Sequence, residues 1–595
     1  MVQAELVPAR VAIPGAASRL WRRVRPKSFL GGLVFVMWAL LAALLVLPLG
    51  QTVIEVLTGT SSTGQNAFEQ VLALPGVGRT ILNTVVVVAL STVLATSIAV
   101  VFAWLNERTN ARLGFVAEIL PLTTLLVPAL AGTVGWVFLT SPSSGMLNIA
   151  LRDLLGAFGI SLADGPLDIF TMPGLVFLYA LNIVPYVYLP VSAAMSQLDS
   201  SLEEASRVCG YGPLRSFFKV TLPAVRPAVV SGAFLGSIIG FATFSIAVIV
   251  GTGAGIDIVS VRVYTLLTAQ YPPRTDPAVL LSLMLLAAIL LLSLLQRRIL
   301  RSGGFATIGG RGIRPSKVDL GRMVLPARVL MIGFVVCSSA VPLIGLVYIA
   351  LRGFWSPELT LSGLSLENFR KVLFDGSALG EALTNSILLA VVGMLITLAV
   401  AMVFALYTGR ARGQLGRWVD ALAKAPGGLS HLLLAIAFLT VLAAPPFRMS
   451  GTITILLLAY VVFFLPQAYV SASAAHAQLG SELGEASAMC GAGPVRTLRA
   501  VTLPLMAPGM VGGAILVFVL IMSEVTGSAL LSGSSTPVVG FLMLDLWSNG
   551  TFPEIAALGA IMAVITATFT IVALYFGRRR TRALGAASAP IARAN

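Results

Sequence analysis

The chain has 595 residues, of which 57% are hydrophobic and only 11% charged, and its mean hydropathy is +0.95. A soluble domain needs about 25% charged residues to face water, so a single soluble core is excluded and lipid has to be the solvent for most of the chain. The net charge of +15 does not point to nucleic acid. The Lys and Arg residues gather in alternate loops, where membrane topology accounts for them.

A helix needs about 20 apolar residues to cross the hydrocarbon. In chain order, such runs fall at about 30–50, 80–104, 116–139, 172–194, 224–251 and 278–296. A second set falls at about 326–351, 383–407, 419–444, 452–474, 507–532 and 554–576. The expectation is an all-α membrane protein of about twelve transmembrane helices. Pro121, Pro128 and Pro426 interrupt the third and ninth spans, which a membrane helix tolerates when neighbours re-satisfy its backbone.

Arg19, Arg22, Arg23, Arg25 and Lys27 precede the first run, as they would in a signal peptide. From Phe29 to Leu49 that run is longer than the ~7–15 residues of a signal core. No small-x-small site follows closely, so it reads as a retained first helix. The N-terminal tail, the linker Arg297–Arg328 and the tail Arg578–Arg582 are all basic. An even number of spans puts these three on one side, and the excess of Lys and Arg marks that side as cytoplasmic. Three Cys and two His add little. Cys209 and Cys490 are equivalent, are expected to be reduced, and have no nearby His with which to bind zinc.

The chain repeats itself. Residues 185–223 align without a gap with residues 466–504, at an offset of 281, and about half the positions are identical. A weaker match relates Asn83-Thr84 and Phe102-Ala103 to Asn385-Ser386 and Phe404-Ala405, at an offset of 302. The difference places an insertion in the first half, near Ser141–Thr171. The halves are therefore parallel repeats of six spans each. The expected organisation is a basic tail at 1–28, a first repeat at 29–298, a linker at 299–325, a second repeat at 326–577 and a tail at 578–595.

The long repeated segment reads as a helix–turn–helix on the cytoplasmic face. Ser200 or Ser201 can cap a short helix, and Leu202, Ala205 and Val208 or Cys209 form an apolar stripe at helical spacing. Gly210-Tyr-Gly-Pro213 then breaks it, and Leu214, Phe217 and Phe218 give the second helix its apolar side. Ser481, Leu483, Ala486, Met489, Gly491-Ala-Gly-Pro494, Val495 and Leu498 repeat the pattern. Such a surface, made twice, suggests a protein partner gripped from two sides. An amphipathic hairpin resting on lipid is the alternative, but lipid does not demand the duplicated Glu204 and Glu485 or Gly210 and Gly491.

These residues resemble the cytoplasmic loop of binding-protein-dependent ABC importer permeases. The match runs Glu204-Ala205-Ser206, Gly210 and Leu222-Pro223, then again Glu485-Ala486-Ser487, Gly491 and Leu503-Pro504. Both copies have Ser where many family members have a second Ala. The fused length and the stretches at 135–148 and 305–321 look like permeases of the ferric-iron and thiamine type, and the resemblance covers roughly residues 28–580.

The resemblance implies that the hairpins are coupling helices seated on two cytoplasmic ABC ATPase subunits, with solute delivered by an extracytoplasmic binding protein. It places the chain in a bacterial inner membrane, with both termini cytoplasmic. ATP would be bound by the ATPase partner and not by this chain. None of the chain's five Lys follows a Gly, as a phosphate-binding loop requires. No catalytic or metal-ligating set is expected, and no cofactor.

A secondary transporter is the main rival. It would need intramembrane acids, and Glu524 is the one acid placed well inside a span. Glu524 is therefore the candidate residue of the translocation path, and by the 281 offset its counterpart is Thr243. Ferric iron is the leading cargo on resemblance, with thiamine, aminoethylphosphonate and polyamines as alternatives.

Overall fold

The computed structural model describes residues 29–588, apart from 59–65, 114–126, 303–316, 357, 359–361, 376–377, 410–412, 480 and 534. Among the described residues there is no strand beyond one isolated parallel bridge, between Thr109 and Val318. The first half holds α1 (Phe29–Thr58), α2 (Val77–Arg108), α3 (Ala129–Thr140), α4 (Met172–Ser196), the short α5 (Ser201–Val208), α6 (Arg226–Ala242), α7 (Val259–Thr268) and α8 (Thr275–Ser302). The second holds α9 (Gly321–Ala350), α10 (Ala378–Thr408), α11 (Gln414–Lys424), α12 (His431–Leu442), α13 (Ile453–Ala477), the short α14 (Ser481–Met489), α15 (Leu503–Met522), α16 (Val539–Ser548) and α17 (Phe552–Ser588). Among the described residues nine helices are each long and apolar enough to cross a membrane, or up to eleven if two bent pairs count as one span each.

Three expected spans are not straight. The ninth divides into α11 and α12, whose axes meet at 106°. Pro426 starts a tight turn at Ala425–Gly428, and a proline cannot continue the ladder of backbone bonds. The fifth and eleventh break at matched places, after Ala242 and after Met522. Short helical turns follow each break, at Ala247–Gly251 and Ser528–Leu531. Of the third expected span, α3 is described, while its beginning at 116–126 lies outside the described residues.

Two further helices, α7 and α16, follow these breaks and were not foreseen. The Asn-Thr/Ser pair noticed in both halves explains how they are held. The Val259 N–H donates to Thr84 Oγ1 at 3.0 Å and the Asn83 amide to the Asp257 carbonyl at 3.2 Å. In the second half the Val539 N–H donates to Ser386 Oγ at 2.9 Å and the Asn385 amide to the Pro537 carbonyl at 2.9 Å. Each pair on a long helix thus satisfies backbone groups at a helix start, which have no partner of their own.

The halves exchange their first helices. α1 packs on α12 of the other half, and the end of α9 packs on α3. One apolar core, including Val137, Phe138, Leu346, Leu433 and Phe463, therefore runs through both halves. Indole donors reach across in the same sense: Trp38 Nε1 donates to the Trp418 carbonyl at 3.3 Å and Trp355 Nε1 to the Ser144 carbonyl at 3.0 Å. Where α3 crosses α9 the backbones touch. A Cβ on Gly135 would collide with the backbone of Pro342, and one on Gly345 would come within 2.9 Å of the Gly135 carbonyl. Overpacking a site like this costs about 1–3 kcal/mol. Gly135→Val should accordingly lower the melting temperature of the detergent-solubilised protein. Gly132→Ala, whose new methyl meets only Val127 at an ordinary 3.6 Å, should leave it unchanged.

Candidate functional site

The repeated segment forms the hairpin its pattern implies. α5 ends at Val208, Gly210 turns with φ 80°, and a second short helix starts at Pro213. In the other copy α14 ends and Gly491 turns with φ 75°, before a helix at Pro494–Thr497. Both φ values lie in the left-handed region that costs a side-chain-bearing residue about 1–2 kcal/mol. The capping differs from expectation. The Ser201 N–H is taken by Asp199 Oδ1 at 3.0 Å rather than by the hydroxyl of Ser200. That bond, with a second from the Ser201 hydroxyl, holds the Asp199 carboxyl below its ordinary range.

The apolar stripe of each hairpin faces out. Val208 and Met489, at equivalent positions, are each 89% exposed. Leu202, Leu214, Phe218, Leu483 and Val495 are exposed too. Glu204, Ala205, Gly210, Glu485, Ala486 and Gly491 lie on these open surfaces. Pro223 is exposed, while Leu222, Leu503 and Pro504 are half-buried where the hairpins join the next helices. Two matched surfaces that leave aliphatic side chains and the repeated Glu204 and Glu485 in the open fit a docking partner, since exposed apolar patches mark interaction sites.

The neighbouring acid, Glu203, does something else. It is 1% exposed and forms an ion pair with Arg108 at the end of α2, Nη2 to Oε2 at 2.7 Å. The Thr221 hydroxyl donates to its other oxygen at 2.7 Å, and Arg108 Nη1 donates to the Leu198 carbonyl at 3.0 Å. Sequence reasoning passed over this pair because the motif drew attention to Glu204. The clue available was that the 281 offset puts Gly484 opposite Glu203, so one acid of the Glu-Glu pair is not repeated.

The membrane interior holds a cavity of about 200 Å³ between the halves, with polar side chains in a largely apolar lining. Asn182, Tyr186 and Thr243 line it from the first half, and His431, Gln467 and Glu524 from the second. Glu524 and Thr243 stand at the matched helix breaks, as the offset requires. Glu524 is buried, and both its oxygens are engaged. Oε1 accepts the Gly527 N–H at 2.7 Å, and Oε2 lies 2.9 Å from His431 Nδ1. The imidazole is stacked on Phe463 with ring centres 4.5 Å apart. Glu524 therefore both lines the cavity and bonds a neighbouring helix. His431 was missed as its partner because nearly a hundred residues separate the two, and only the bend between α11 and α12 brings them together.

This geometry defines a class of protein: a multi-pass membrane protein with an internal repeat, two matched hairpins and a cavity between its halves. The family model described as binding-protein-dependent transport system inner membrane component matches residues 95–302 and 401–582. Each match contains one hairpin, and the chain belongs to this family of ABC importer permeases.

The chain is similar to the Fe(3+)-transport system permease protein FbpB 2 of Haemophilus influenzae, 25% identical over 526 residues that cover 87% of this chain and 93% of that protein. It is similar to the ferric transport system permease protein FbpB of Actinobacillus pleuropneumoniae, 21% identical over 84% of this chain and 71% of that protein. A shorter likeness, 27% over 231 residues, relates 38% of this chain to 76% of the putative 2-aminoethylphosphonate transport system permease protein PhnU of Salmonella paratyphi A.

Two local predictions follow from the geometry. Glu524→Ala leaves the Gly527 N–H and the imidazole without their acceptor, a loss of about 1–3 kcal/mol. Glu524→Gln can still accept from Gly527 and should keep most of that stability, with thermal unfolding in detergent as the measurement. Gly210→Val and Gly491→Val have open space for the new side chain but an unfavourable backbone. Each should abolish stimulation of ATP hydrolysis by the loaded binding protein while the membrane domain melts as before.

Proposed function

We propose that this chain is the complete membrane permease of a ferric-iron importer, working as one copy with two ATPase subunits and an extracytoplasmic binding protein. The full-length likeness to permeases named for ferric transport carries the choice of cargo. The two outward-facing hairpin surfaces support the two-ATPase arrangement. In this reading the chain spans the membrane twelve times, with the hairpins and both termini in the cytoplasm, and hydrolysis belongs to the separate ATPase partner.

The mechanism follows from which groups are free. On each hairpin Leu202, Ala205 and Val208, or Leu483, Ala486 and Met489, supply apolar contact. Glu204 or Glu485 adds a charge-assisted bond to the ATPase, worth roughly 1.5–3 kcal/mol. Closure of the ATPase pair on ATP draws the hairpins together, and the halves pivot about the exchanged helices α1 and α9. This is rigid-body alternating access driven by contacts made elsewhere. The cavity at Glu524 opens to receive solute from the binding protein, which sets the selectivity.

Proteoliposomes holding the permease, the ATPase and the binding protein test the reading. Uptake of ferric iron that needs ATP and survives a proton uncoupler is expected. Uptake of 2-aminoethylphosphonate or thiamine in place of iron would overturn the cargo, and dependence on the proton gradient would overturn the importer. Glu204→Ala with Glu485→Ala should abolish uptake while leaving the protein in the membrane.

A further inference from the structure

We infer that the two hairpins are unequal levers: the first is clamped to the membrane domain by the buried Arg108–Glu203 pair, the second is compliant, and ATP-driven motion is transmitted mainly through the first half. This rests on the docking reading above, and it makes Arg108 and Glu203 positioning residues for coupling.

The repeat is its own internal control. In the first half Glu203 receives Arg108 and Thr221 at 2.7 Å each, with both members of the ion pair almost wholly buried. In the second half Gly484 stands in its place and offers no carboxylate. Arg410, the counterpart of Arg108 by the 302 offset, lies outside the described residues. Among the described residues, the second hairpin holds a bond internal to it, between the hydroxyls of Ser487 and Thr497 at 2.8 Å.

The apolar footing differs as well. Phe217 at the base of the first hairpin is buried against Trp104 of α2 with ring centres 4.8 Å apart, and Phe218 stacks edge-on against it at 4.9 Å. The corresponding residues are Leu498, Leu406 and Arg499. Two interlocked ring contacts are replaced by two leucines and an arginine.

The clamp continues past the hairpin. Beside Arg108 the linker between the halves is pinned to the end of α2. The Val318 N–H donates to the Arg108 carbonyl at 2.8 Å and the Asn110 N–H to the Val318 carbonyl at 3.1 Å. The Arg328 guanidinium reaches the Ala111 carbonyl at 3.3 Å, and Phe334 on α9 packs edge-on against Phe102 of α2 at 4.9 Å. A push on the first hairpin thus loads α2, the linker and α9 together, and α9 is the helix that crosses into the other half. A buried ion pair that also holds a hydroxyl and a carbonyl has one good geometry, because any displacement leaves charge unpaired in a dry site.

The native complex gives the first test. In assembled, nucleotide-free transporter the amides of Ser201–Val208 should exchange with deuterium about ten-fold or more slowly than those of Ser481–Met489, since exchange follows local opening. Equal protection would overturn the inference without any substitution.

In proteoliposomes Glu203→Gln should raise the ATP hydrolysed per solute imported several-fold while the ATPase subunits stay bound. The exchanged pair Arg108→Glu with Glu203→Arg should restore the ratio in part. Glu204→Ala should reduce uptake more than Glu485→Ala, and in the Glu203→Gln background the two losses should become equal. Equal losses in the native background, or an unchanged ratio in Glu203→Gln, would overturn the unequal-lever inference alone. Full uptake and full ATPase binding in both alanine variants would overturn the docking reading itself, and this inference with it.

Discussion

In hydrocarbon an unpaired backbone N–H or C=O costs several kcal/mol, and the molecule is organised around the places where it breaks helices nonetheless. The breaks after Ala242 and Met522 and the turn at Ala425–Gly428 all lie against the cavity between the halves. Side chains repair them. The Tyr179 hydroxyl and the Ser260 hydroxyl both donate to the Thr243 carbonyl, at 3.2 and 3.1 Å. The Glu524 carboxylate accepts the Gly527 N–H, and the Ser528 hydroxyl donates to the Glu524 carbonyl at 2.9 Å. At these three breaks the irregular backbone sits where polar side chains can satisfy it.

Among the candidate spans α1, α8 and α9 are the most exposed, and α4 and α13 the most buried. The hairpins are amphipathic, with their apolar stripe exposed. The path from hairpin to cavity is short: α5 leads through the segment at Phe217–Thr221 and across a 73° bend at Val225 into α6, which ends at the cavity. The same succession leads from α14 to Glu524. The hairpin and the central cavity are thus joined by one continuous helix in the second half, Val495–Met522, and by two helices meeting at 73° in the first.

Much of this was legible in the chain because hydropathy and repetition are long-range averages. The straight spans α2, α4, α10 and α13 fall within a few residues of their apolar runs, and the hairpins fall where the duplicated glycines put them. What was not legible depends on contacts between distant segments. α7 and α16 are too short to stand out as spans, and their anchors Asn83 and Asn385 looked like a faint motif with no purpose. The pairing of His431 with Glu524 needs the 106° bend, which a proline permits but does not dictate. Glu203 was hidden by its neighbour, since adjacent helical positions face different ways and only the fold decides which one turns inward.

Fusion of the two repeats into one polypeptide has a consequence for symmetry. An assembly of two identical halves would have to carry every side chain twice, so an acid at the position of Glu524 would face its own copy across the cavity. Two carboxylates held close together there would repel, which favours one of them taking up a proton. A covalent tandem escapes that rule. It can keep a single carboxylate beside a single imidazole and set Thr243 and Ala129 opposite them. It can spend Glu203 on one hairpin and glycine on the other. Each half can then drift toward its own task while the exchanged helices hold both in register, a freedom denied to any homodimer.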